Sequence, residues 1–350
     1  MLVWVDMRYL FYTTSGAAWE GLRKAIEKAE KSIYLEMYIF VDDTHEADYL
    51  IETFVVKAKQ GVAVRIILDG FGSFGLSRGA IDRLRNGGVE LFFFKKMFRR
   101  LHRKFAVIDE KVGFLGGVNI HKSARLWNDL LVRLEGPILR SLIRSFRHTY
   151  IVCGGKDPYL LTYAAKPAIL GRTRTRLLEL FPTIRSLRLR DTYIEKIIKA
   201  EKHVTFVTPY FLPHRWLINL IKETVRRGVS VEVIVPLDTD IIFLTTANRY
   251  YMSLLVDYGV RFYQTKEMTH AKLLIIDDNL ALVGSHNIDA LSFERNAEIG
   301  VFFENEKMIA DLRIIVEKWK SGAVLFTEPE RRGFWAKIVS YLIRVFQPYL

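Results

Sequence analysis

The hydrophobic positions follow the same order in both halves of the chain. Short, nearly continuous apolar runs such as SIYLEMYIF and VRIILD alternate with longer segments in which apolar residues recur at helical spacing. Continuous apolar runs are typical of strands that are buried on both faces, and the longer segments are typical of amphipathic helices that cover them. The pattern of each half therefore predicts three helix–strand pairs in succession, followed by a hairpin. The pattern indicates an α/β fold with sheets flanked by helices.

The junctions between these elements recur at the spacing of a whole domain. Ala29-Glu30-Lys31 precedes one strand, and Ala200-Glu201-Lys202 precedes its counterpart 171 residues later. The Gly-Val pairs at 61–62 and 88–89 recur at 228–229 and 259–260. This period excludes a solenoid, whose repeats are roughly 20–50 residues long. It predicts two similar domains fused in one chain of 350 residues.

A polar motif closes each copy of the repeat. His is followed by Lys at +2, Asp at +7, Gly at +14 and Asn at +17 in both copies. One His-x-Lys-x4-Asp match occurs by chance in roughly a few per hundred chains of this length, but chance does not explain two matches with the same downstream Gly and Asn. The motif residues are His102, Lys104, Asp109, Gly116 and Asn119, and His270, Lys272, Asp277, Gly284 and Asn287. The duplication indicates one active site built from two similar halves.

Strand geometry places the His and Lys of each copy side by side, because residues two apart on a strand point to the same face. Asp109 and Asp277 begin tight turns and lie on the opposite strand parity from their His. We expect these two carboxylates to brace the hairpin or the two halves rather than touch a substrate. The motif Asn residues follow at the same edge as the His and Lys, so the two halves together predict two imidazoles, two ammonium groups and two amides around one point.

This constellation suits phosphoryl transfer from a phosphodiester. One imidazole attacks phosphorus and forms a phosphohistidine. The other protonates the departing alkoxide and then deprotonates the incoming hydroxyl. Lys and Asn side chains stabilise the charged oxygens of the transition state. We expect no metal or cofactor, because two ammonium groups occupy the place of a divalent cation and a Lys repels a metal.

Composition narrows the partner and the compartment. The net charge of +13 indicates an anionic partner, which leaves nucleic acid, a phospholipid surface and a phosphate substrate open. Cys153 is the single cysteine, which excludes an internal disulfide framework. No stretch reaches the roughly 18 uncharged apolar residues of a spanning helix, and the N-terminus lacks a cleavable-signal layout. We therefore expect an unexported chain that does not cross the bilayer.

Two segments bear on a membrane surface. Residues Phe92–Arg100 interleave aromatic and cationic side chains directly before the first motif, a mixture that suits phospholipid headgroups and chains or the bases and phosphates of a single strand. An ordinary strand and basic loop is the alternative. Residues Phe334–Leu350, read as a helix, have one narrow polar stripe and a wide apolar face. This pattern favours a helix lying in the membrane plane, and a terminal helix docked on protein is the alternative.

With both motif copies in place, the chain resembles the phospholipase D superfamily and, within it, the bacterial cardiolipin synthases. The segments YIFVDD, RIILDGFGS, WNDLLVRLEGP, TPYFLP and SFERNAEIGV resemble the synthase pattern. The resemblance covers about residues 20–327 and is closer to short forms without N-terminal membrane helices. It implies two phospholipase D-type α/β domains with one active site at their pseudo-twofold interface. The expected boundaries are 1–153, a basic linker at 154–190, 191–330, and an amphipathic tail at 331–350.

The resemblance also implies roles for two acids downstream of the motifs. Asp129 lies 27 residues after His102, and Glu298 lies 28 residues after His270. In the family an acid here orients the catalytic imidazole, and the alternative is a solvated surface acid. Family analogy favours His102 as the nucleophile and His270 as the acid and base. The candidate catalytic residues are therefore His102, Lys104, Asp109, Asn119, Asp129, His270, Lys272, Asp277, Asn287 and Glu298.

Glu36 is an acid inside the apolar strand YLEMYIF. A buried acid is usually paired, so this residue either supports the site from the first half or occupies a solvated edge position.

The favoured function is a phosphatidyltransferase that makes cardiolipin from two phosphatidylglycerol molecules and releases glycerol. A phospholipase D hydrolase and another phosphatidyltransferase, such as a phosphatidylserine synthase, stay open because the acceptor is not written in the motif. A nuclease on the same scaffold is disfavoured, since it leaves the apolar tail unexplained. A non-catalytic lipid-binding protein is disfavoured by the complete double motif. We expect a peripheral protein on the cytoplasmic side of a bacterial cell membrane, with anionic phospholipid as its partner.

Overall fold

The computed structural model describes residues 8–96, 99–163, 175–181 and 188–327. The expected tail at 331–350 and parts of the segment 154–190 lie outside these residues.

The first half of the chain forms one mixed sheet with helices on both sides. A short 3-10 helix, Lys122–Leu126, follows the second strand of the motif hairpin. The strands and helices are β1 (Tyr9–Thr14), α1 (Ser15–Glu27), β2 (Ser32–Met37), α2 (His45–Lys59), β3 (Ala63–Asp69), α3 (Arg78–Asn86), β4 (Glu90–Phe94), β5 (Phe105–Ile108), β6 (Val112–Gly116), β7 (Asn128–Leu134) and α4 (Ile138–Val152).

The second half repeats this order after a short connecting helix. A second 3-10 turn, Val256–Tyr258, follows α8. The elements are α5 (Pro158–Thr162), β8 (Thr175–Leu180), α6 (Arg188–Ile198), β9 (His203–Val207), α7 (Arg215–Arg226), β10 (Ser230–Pro236), α8 (Ile242–Ser253), β11 (Arg261–Thr265), β12 (Leu273–Ile276), β13 (Leu280–Gly284), α9 (Ala290–Glu294), β14 (Glu298–Phe303), α10 (Glu306–Lys320) and β15 (Val324–Leu325).

Strand order shows that the two sheets are copies of one another. The first sheet runs β1-β7-β6-β5-β2-β3-β4, and the second runs β8-β14-β13-β12-β9-β10-β11 with β15 added at its edge. In each sheet three neighbouring strands are parallel and the hairpin strands are antiparallel to them. The predicted α/β fold with two similar halves is confirmed.

Local sequence explains where the first three helices begin. Thr14, Thr44 and Ser77 precede α1, α2 and α3, and each side-chain oxygen accepts a hydrogen bond from the backbone N–H three residues on. Such caps satisfy a donor that the first helical turn leaves unpaired. The caps therefore set where each helix begins after the strand that precedes it. Each helix then packs its apolar side on the sheet.

The outer strands β1 and β8 are not among the strands predicted from the hydrophobic pattern of each half. β1 pairs with β7, and β8 pairs with β14. Both are only partly buried, so they lack the continuous apolar run that marks the central strands. β8 falls inside the segment 154–190, so a strand occupies part of the expected basic linker.

One apolar cluster continues from the first sheet to the second. It joins side chains such as Phe105 and Leu115 of the first half to Leu273 and Val283 of the second, and it includes the buried faces of α4 and α10. The other face of each sheet has its own cluster, beneath α1 to α3 in the first half and beneath α6 to α8 in the second. The shared cluster holds the two motif hairpins against each other.

Backbone contacts cross between the halves at two equivalent places. The N–H of Ala297 donates to the carbonyl of Arg100 at 2.8 Å. The N–H of Asn128 donates to Met268 at 2.9 Å, and the N–H of His270 donates back to Asn128 at 2.7 Å. Each contact is made by a motif His or by the residue two positions before it, and its partner directly precedes a downstream acid.

The motif glycine of β6 is required by packing against β7. A Cβ at Gly116 would overlap the backbone carbonyl of Leu130. We expect Gly116→Ala to lower the free energy of unfolding by about 2–3 kcal/mol, because the backbone rather than a flexible side chain must move. Gly322→Ala is the matched control, since a Cβ there meets nothing within 4 Å, and it should change stability by less than about 0.5 kcal/mol. Denaturant unfolding of both variants checks this, and equal stability would contradict the packing argument.

Candidate active site

The His and Lys of each motif lie at the entrance to the first hairpin strand. His102 and Lys104 come directly before β5, and His270 and Lys272 come directly before β12. The carbonyl of each Lys accepts a hydrogen bond from the motif glycine across the hairpin, at 3.2 Å in both halves. The apolar strands that follow fix these segments in the shared core, so all four side chains are held at the junction of the halves.

Each imidazole is bound by a carboxylate from the other half. His102 Nδ1 lies 2.9 Å from Glu298 Oε1 and 3.1 Å from Oε2. His270 Nδ1 lies 2.8 Å from Asp129 Oδ2. All four side chains are buried. The downstream acids therefore act across the interface, and neither half contains a complete imidazole–carboxylate pair by itself.

The two lysines are buried beside the imidazoles. The Lys104 ammonium donates to the backbone carbonyl of His102 at 2.8 Å. The Lys272 ammonium donates to the carbonyl of His270 at 2.5 Å and to its Nε2 at 2.7 Å. Lys104 is 0% exposed and Lys272 is 2% exposed. Two positive charges therefore face the point where the imidazoles meet.

Burial makes both imidazoles neutral. Desolvation disfavours the charged ring and lowers the pKa of His102 and of His270 to about 4. The partner carboxylates raise each pKa and the two ammonium groups lower it, but burial dominates. A neutral ring that donates from Nδ1 to a carboxylate has its lone pair on Nε2. The site thus presents two imidazoles with a basic nitrogen turned away from the acid.

The two acids stay ionised in spite of their burial. Desolvation raises the pKa of Glu298, but His102 and Lys104 outweigh it and the pKa falls to about 2. Desolvation also opposes ionisation of Asp129, and His270 and Lys272 bring the pKa of Asp129 below its usual value. An ionised carboxylate on Nδ1 stabilises the imidazolium that forms when the ring takes a proton.

The pKa of each lysine is lowered, which makes proton transfer from its ammonium group easier. Burial lowers the pKa of Lys104 well below its usual value, and the charge of Lys272 lowers it further. Burial also lowers the pKa of Lys272 to about 8, although Asp129 and Glu298 act in the opposite direction. An ammonium with a pKa near neutrality can pass a proton to the neighbouring His270.

Two differences separate the halves chemically. Ser285 Oγ donates to Glu298 Oε2 at 2.5 Å, whereas the equivalent position in the first half is Gly117. A Cβ at Gly117 would overlap the Asp129 carboxylate, so the shorter acid excludes a side chain there. Among the described residues, Lys272 is hydrogen-bonded to the Nε2 of His270, while no partner binds the Nε2 of His102.

Aromatic rings flank the two imidazoles. The Tyr38 ring packs edge-on against His102 with centroids 4.7 Å apart, and the Lys104 ammonium lies 4.8 Å from the centroid of Tyr38. The Trp127 ring lies 5.1 Å from His270. Sequence reasoning did not single out Tyr38 or Trp127, although Tyr38 begins the segment YIFVDD and Trp127 begins the segment WNDLLVRLEGP.

The motif Asn residues are buried at the same edge. The backbone carbonyl of Asn119 accepts a hydrogen bond from the Trp19 indole at 2.9 Å, and the backbone N–H of Asn287 donates to Ser292 at 3.1 Å. The side-chain carbonyl oxygens of both Asn residues have no hydrogen-bond partner in the described part of the chain. Their backbones are thus fixed, and their side-chain carbonyl oxygens stay open to a donor of a bound group, while the Asn287 side chain also bonds Asp289.

The motif Asp residues lie at the far end of the hairpin. The Asp109 carboxylate accepts backbone N–H groups of residues 30–32, and the Asp277 carboxylate accepts those of residues 201–203. Both residues have positive φ, 52° and 47°, a conformation that Asp tolerates in turns. They tie the turn of each hairpin to the start of the neighbouring strand and do not contact the imidazoles.

Glu36 is buried and paired. Its carboxylate lies 3.4 Å from Nη1 of Arg103, which is 1% exposed. Burial raises the pKa of Glu36 to about 7, although Arg103 lowers it. The Arg103 guanidinium also donates to Ser145 at 2.5 Å and to Glu179 at 2.7 Å. Arg103, which lies between the motif His and Lys, thereby ties the site to α4 and β8. The spacing of the motif did not reveal this role.

Within the described ranges, no group of three or more His, Cys, Asp or Glu side chains is arranged to hold a metal ion.

The crossed pairing predicts which acid controls which imidazole. Glu298 raises the pKa of His102, so Glu298→Gln should lower that pKa below about 4 and leave His270 unchanged. Asp129→Asn should do the reverse, because Asp129 raises the pKa of His270. Titration of the ring nitrogens by NMR from pH 7 down to about pH 2 measures both shifts.

Glu294→Gln is the matched control for this titration, since Glu294 pairs with His214 at 3.1 Å and should move neither catalytic ring. A shift of His270 rather than His102 in Glu298→Gln would contradict the crossed arrangement.

Comparison with known proteins agrees with this geometry. Residues 22–150 and 193–319 match the family described as "Cardiolipin synthase, PLD-like domain". The chain is 32% identical over 315 residues to a probable cardiolipin synthase of Bacillus subtilis, with 84% of this chain and 62% of that protein covered. It is 29% identical over 346 residues to the cardiolipin synthase of Geobacillus kaustophilus, with 93% and 69% covered. The chain therefore spans less than two thirds of the length of the first relative.

Solved structures show the same fold at lower identity. A phosphatidylserine synthase of Haemophilus influenzae matches 99% of this chain and 93% of its own, with a TM-score of 0.77 and 16% identity. A polyphosphate kinase of Porphyromonas gingivalis matches 97% of this chain and 53% of its own, with a TM-score of 0.62 and 14% identity. The matched family model covers both motif-bearing halves. The chain belongs to the cardiolipin synthase family with phospholipase D-like domains.

Proposed function

We propose that this protein is a phosphatidyltransferase that makes cardiolipin from two phosphatidylglycerol molecules, as the names of its relatives suggest. The observation that carries the proposal is the pair of neutral imidazoles, each held by a carboxylate of the other half beside two buried lysines. This set can bind an anionic phosphodiester, attack it and protonate the group that leaves.

His102 is proposed as the nucleophile. Its Nε2 carries a lone pair and has no hydrogen bond from the described residues, whereas Nε2 of His270 accepts from Lys272. Glu298 is held by both His102 and Ser285, so the acid that must stabilise the phosphorylated ring is fixed in place. These contacts support the same choice as the family resemblance.

In the first step, His102 Nε2 attacks phosphorus, so that the P–N bond forms and the P–O bond to glycerol breaks. His270 takes a proton at Nε2 from the Lys272 ammonium and passes it to the departing alkoxide, and the second step returns a proton through His270 to Lys272. Lys272 donates to His270 Nε2 at 2.7 Å, so this pair holds the proton that the leaving oxygen needs. Lys104 and Lys272 offset the negative charge that develops on the phosphoryl oxygens.

In the second step, the hydroxyl of a second phosphatidylglycerol gives its proton to His270 and its oxygen attacks the phosphohistidine. The P–N bond breaks and His102 is restored. Two phosphatidylglycerol molecules thus become one cardiolipin and one glycerol. Asn119 and Asn287, which are buried at the same edge as the motif His and Lys, are proposed to orient the phosphodiester by donating hydrogen bonds from their side-chain NH2 groups to its oxygens.

Hydrolysis follows the same path with water in place of the second lipid. Both reactions release glycerol, so the lipid product separates them: a transferase gives cardiolipin and a hydrolase gives phosphatidic acid.

We expect the wild-type chain to convert phosphatidylglycerol to cardiolipin and glycerol. His102→Ala and His270→Ala should each reduce the rate by roughly 10³-fold or more, because each removes a group that the chemical step requires. Mass spectrometry of the lipid products measures this. Radiolabelled lipid should mark the protein at His102 when the reaction is stopped with denaturing detergent at mildly alkaline pH, where the acid-labile P–N bond survives, and the label should accumulate in His270→Ala, which lacks the base for the second step.

His45→Ala is the control for these variants, since His45 is an exposed residue of α2, and its rate should match wild type. If phosphatidic acid is the main product, the protein is a hydrolase and not a transferase. Turnover of single-stranded DNA or RNA without turnover of lipid would show that the protein is a nuclease, and neither a transferase nor a hydrolase of lipids.

We also propose that the protein is peripheral on the cytoplasmic face of a bacterial membrane. None of the described helices is long and apolar enough to span a bilayer. In the described part of the segment Phe92–Arg100, the Lys95 ammonium lies 5.9 Å from the Phe93 ring centroid, and the Arg100 guanidinium lies 4.0 Å from that of Phe71. Such pairs suit an anionic and apolar surface.

Deletion of residues 331–350 should weaken binding to phosphatidylglycerol vesicles and leave turnover of detergent-dispersed lipid unchanged. The reason is the wide apolar face that the sequence predicts for this segment. Vesicle sedimentation measures the binding, and undiminished sedimentation would remove the tail from the membrane proposal.

A further inference from the structure

The three most exposed large apolar side chains of the described residues are Phe74, Ile242 and Leu126. They are 88%, 87% and 83% exposed. Phe71 lies in the same loop as Phe74, and Ile241 directly precedes Ile242, the first residue of α8; both are also exposed. We call these five residues the rim. Single exposed apolar residues are ordinary, but a cluster around one feature marks an interaction surface.

Each loop of the rim touches the candidate active site. Leu126 is followed by Trp127, whose ring lies against His270. Phe74 follows Ser73, whose Oγ donates to the carbonyl of Tyr38 at 3.0 Å, and the Tyr38 ring packs on His102.

The remaining loop reaches the site from the second half. Ile242 comes two residues after Asp240, which accepts a hydrogen bond from the Tyr210 hydroxyl at 2.6 Å. Asp240 also raises the pKa of Lys272, so its charge lies within reach of the catalytic lysine. The loops that carry Phe74 and Ile242 follow β3 and β10, which occupy the same place in their sheets. The rim therefore flanks the site from both halves.

The rim side chains are exposed on loops that are themselves well held. The Asp69 carboxylate accepts the backbone N–H groups of Phe71, Gly72 and Leu101. In the other loop, the Thr239 hydroxyl donates to the carbonyl of Ile241 at 2.6 Å. The exposure is thus set by a fixed backbone, which keeps apolar groups in water at a cost that a partner must offset.

The charges around the rim favour an anionic partner. Arg100 lies over the face of Phe71 at 4.0 Å, and the chain as a whole carries a net charge of +13. Of the nearby acids, Asp238 pairs with Arg249, while Asp240 and Asp42 accept hydrogen bonds from the hydroxyls of Tyr210 and Ser77 and keep their negative charge. Apolar tips beside cationic groups match the boundary between the acyl layer and the headgroups of an anionic bilayer.

We propose that the rim inserts into the outer part of an anionic bilayer and seats the active site directly on the lipid headgroups. Phe74, Leu126 and Ile242 enter the acyl layer, while Arg100 stays at the level of the phosphates. A lipid then reaches the imidazoles with its phosphodiester while its chains stay in the membrane. The inference rests on the proposed lipid substrate and adds the surface through which the substrate arrives.

Site-specific fluorescence tests the insertion. In the full chain with Cys153→Ser, a single cysteine is placed at Phe74, Leu126 or Ile242 and labelled with an environment-sensitive dye. Ile314→Cys is the matched control, because Ile314 is 68% exposed on α10, away from the site. With vesicles of phosphatidylglycerol and phosphatidylcholine, the three rim labels should shift to the blue and be quenched by a bilayer-embedded quencher, and the label at position 314 should not.

A second readout uses the unlabelled chain. The combined variant Phe74→Ser, Leu126→Ser and Ile242→Ser should lose at least about tenfold in turnover of vesicle lipid and keep its turnover of detergent-dispersed lipid. Ile314→Ser should match wild type on both. Because none of these residues belongs to the catalytic set, equal loss on both substrates would contradict the inference.

Other outcomes have distinct meanings. Rim labels that stay in water on vesicle-bound protein, or a protein that does not bind vesicles, would overturn the inference. A blue shift with single-stranded DNA alone, or with rising protein concentration alone, would assign the rim to nucleic acid or to a second copy and also overturn it. Rim insertion without turnover in detergent would instead leave the inference standing and remove the proposed function.

Discussion

The structure depends on the backbone contacts that cross between the halves beside each motif. Asn128 is bonded to the chain at Met268 and His270, and Ala297 is bonded to Arg100. The acid that follows each contact, Asp129 or Glu298, is thereby carried to the imidazole of the other half. Separation of the halves would leave both imidazoles without a carboxylate, and it would take Glu298 from Lys104 and Asp129 from Lys272. The complete site therefore assembles only when the two halves pack together.

The site is costly to bury. Burial lowers the pKa of both lysines, and the nearby charge of Lys272 lowers the pKa of Lys104 further. The ionised Asp129 and Glu298 offset part of this cost, which a removal of either acid would expose. The same desolvation makes the imidazoles neutral and therefore nucleophilic at pH 7. An apolar shell around the charges thus serves the proposed chemistry, while the core clusters on each sheet supply the stability.

Pseudo-symmetry is broken where the two halves need different roles. Arg103 and Glu36 form a buried pair in the first half, and the equivalent positions in the second half are Ala271 and Val207. Ser285 supports Glu298, but Gly117 faces Asp129. The first imidazole is therefore anchored through Glu298 and Ser285 and has a free Nε2, while the second is hydrogen-bonded to Lys272. Two copies of one motif can in this way act as nucleophile and as proton carrier.

The sequence by itself determined the two similar α/β halves, the central strands and the identity of the imidazoles and ammonium groups, because strand periodicity and motif spacing are local properties. It did not reveal β1, whose half-buried side chains lack a continuous apolar pattern, and it left a strand in the segment of β8 as only one of two alternatives. The crossing of Asp129 to His270 and of Glu298 to His102, the anchoring role of Arg103, and the gathering of Phe74, Leu126 and Ile242 around the site were decided only by the tertiary structure. These features join residues that are far apart in the chain, and their contacts exist only once the shared core has brought the two sheets together.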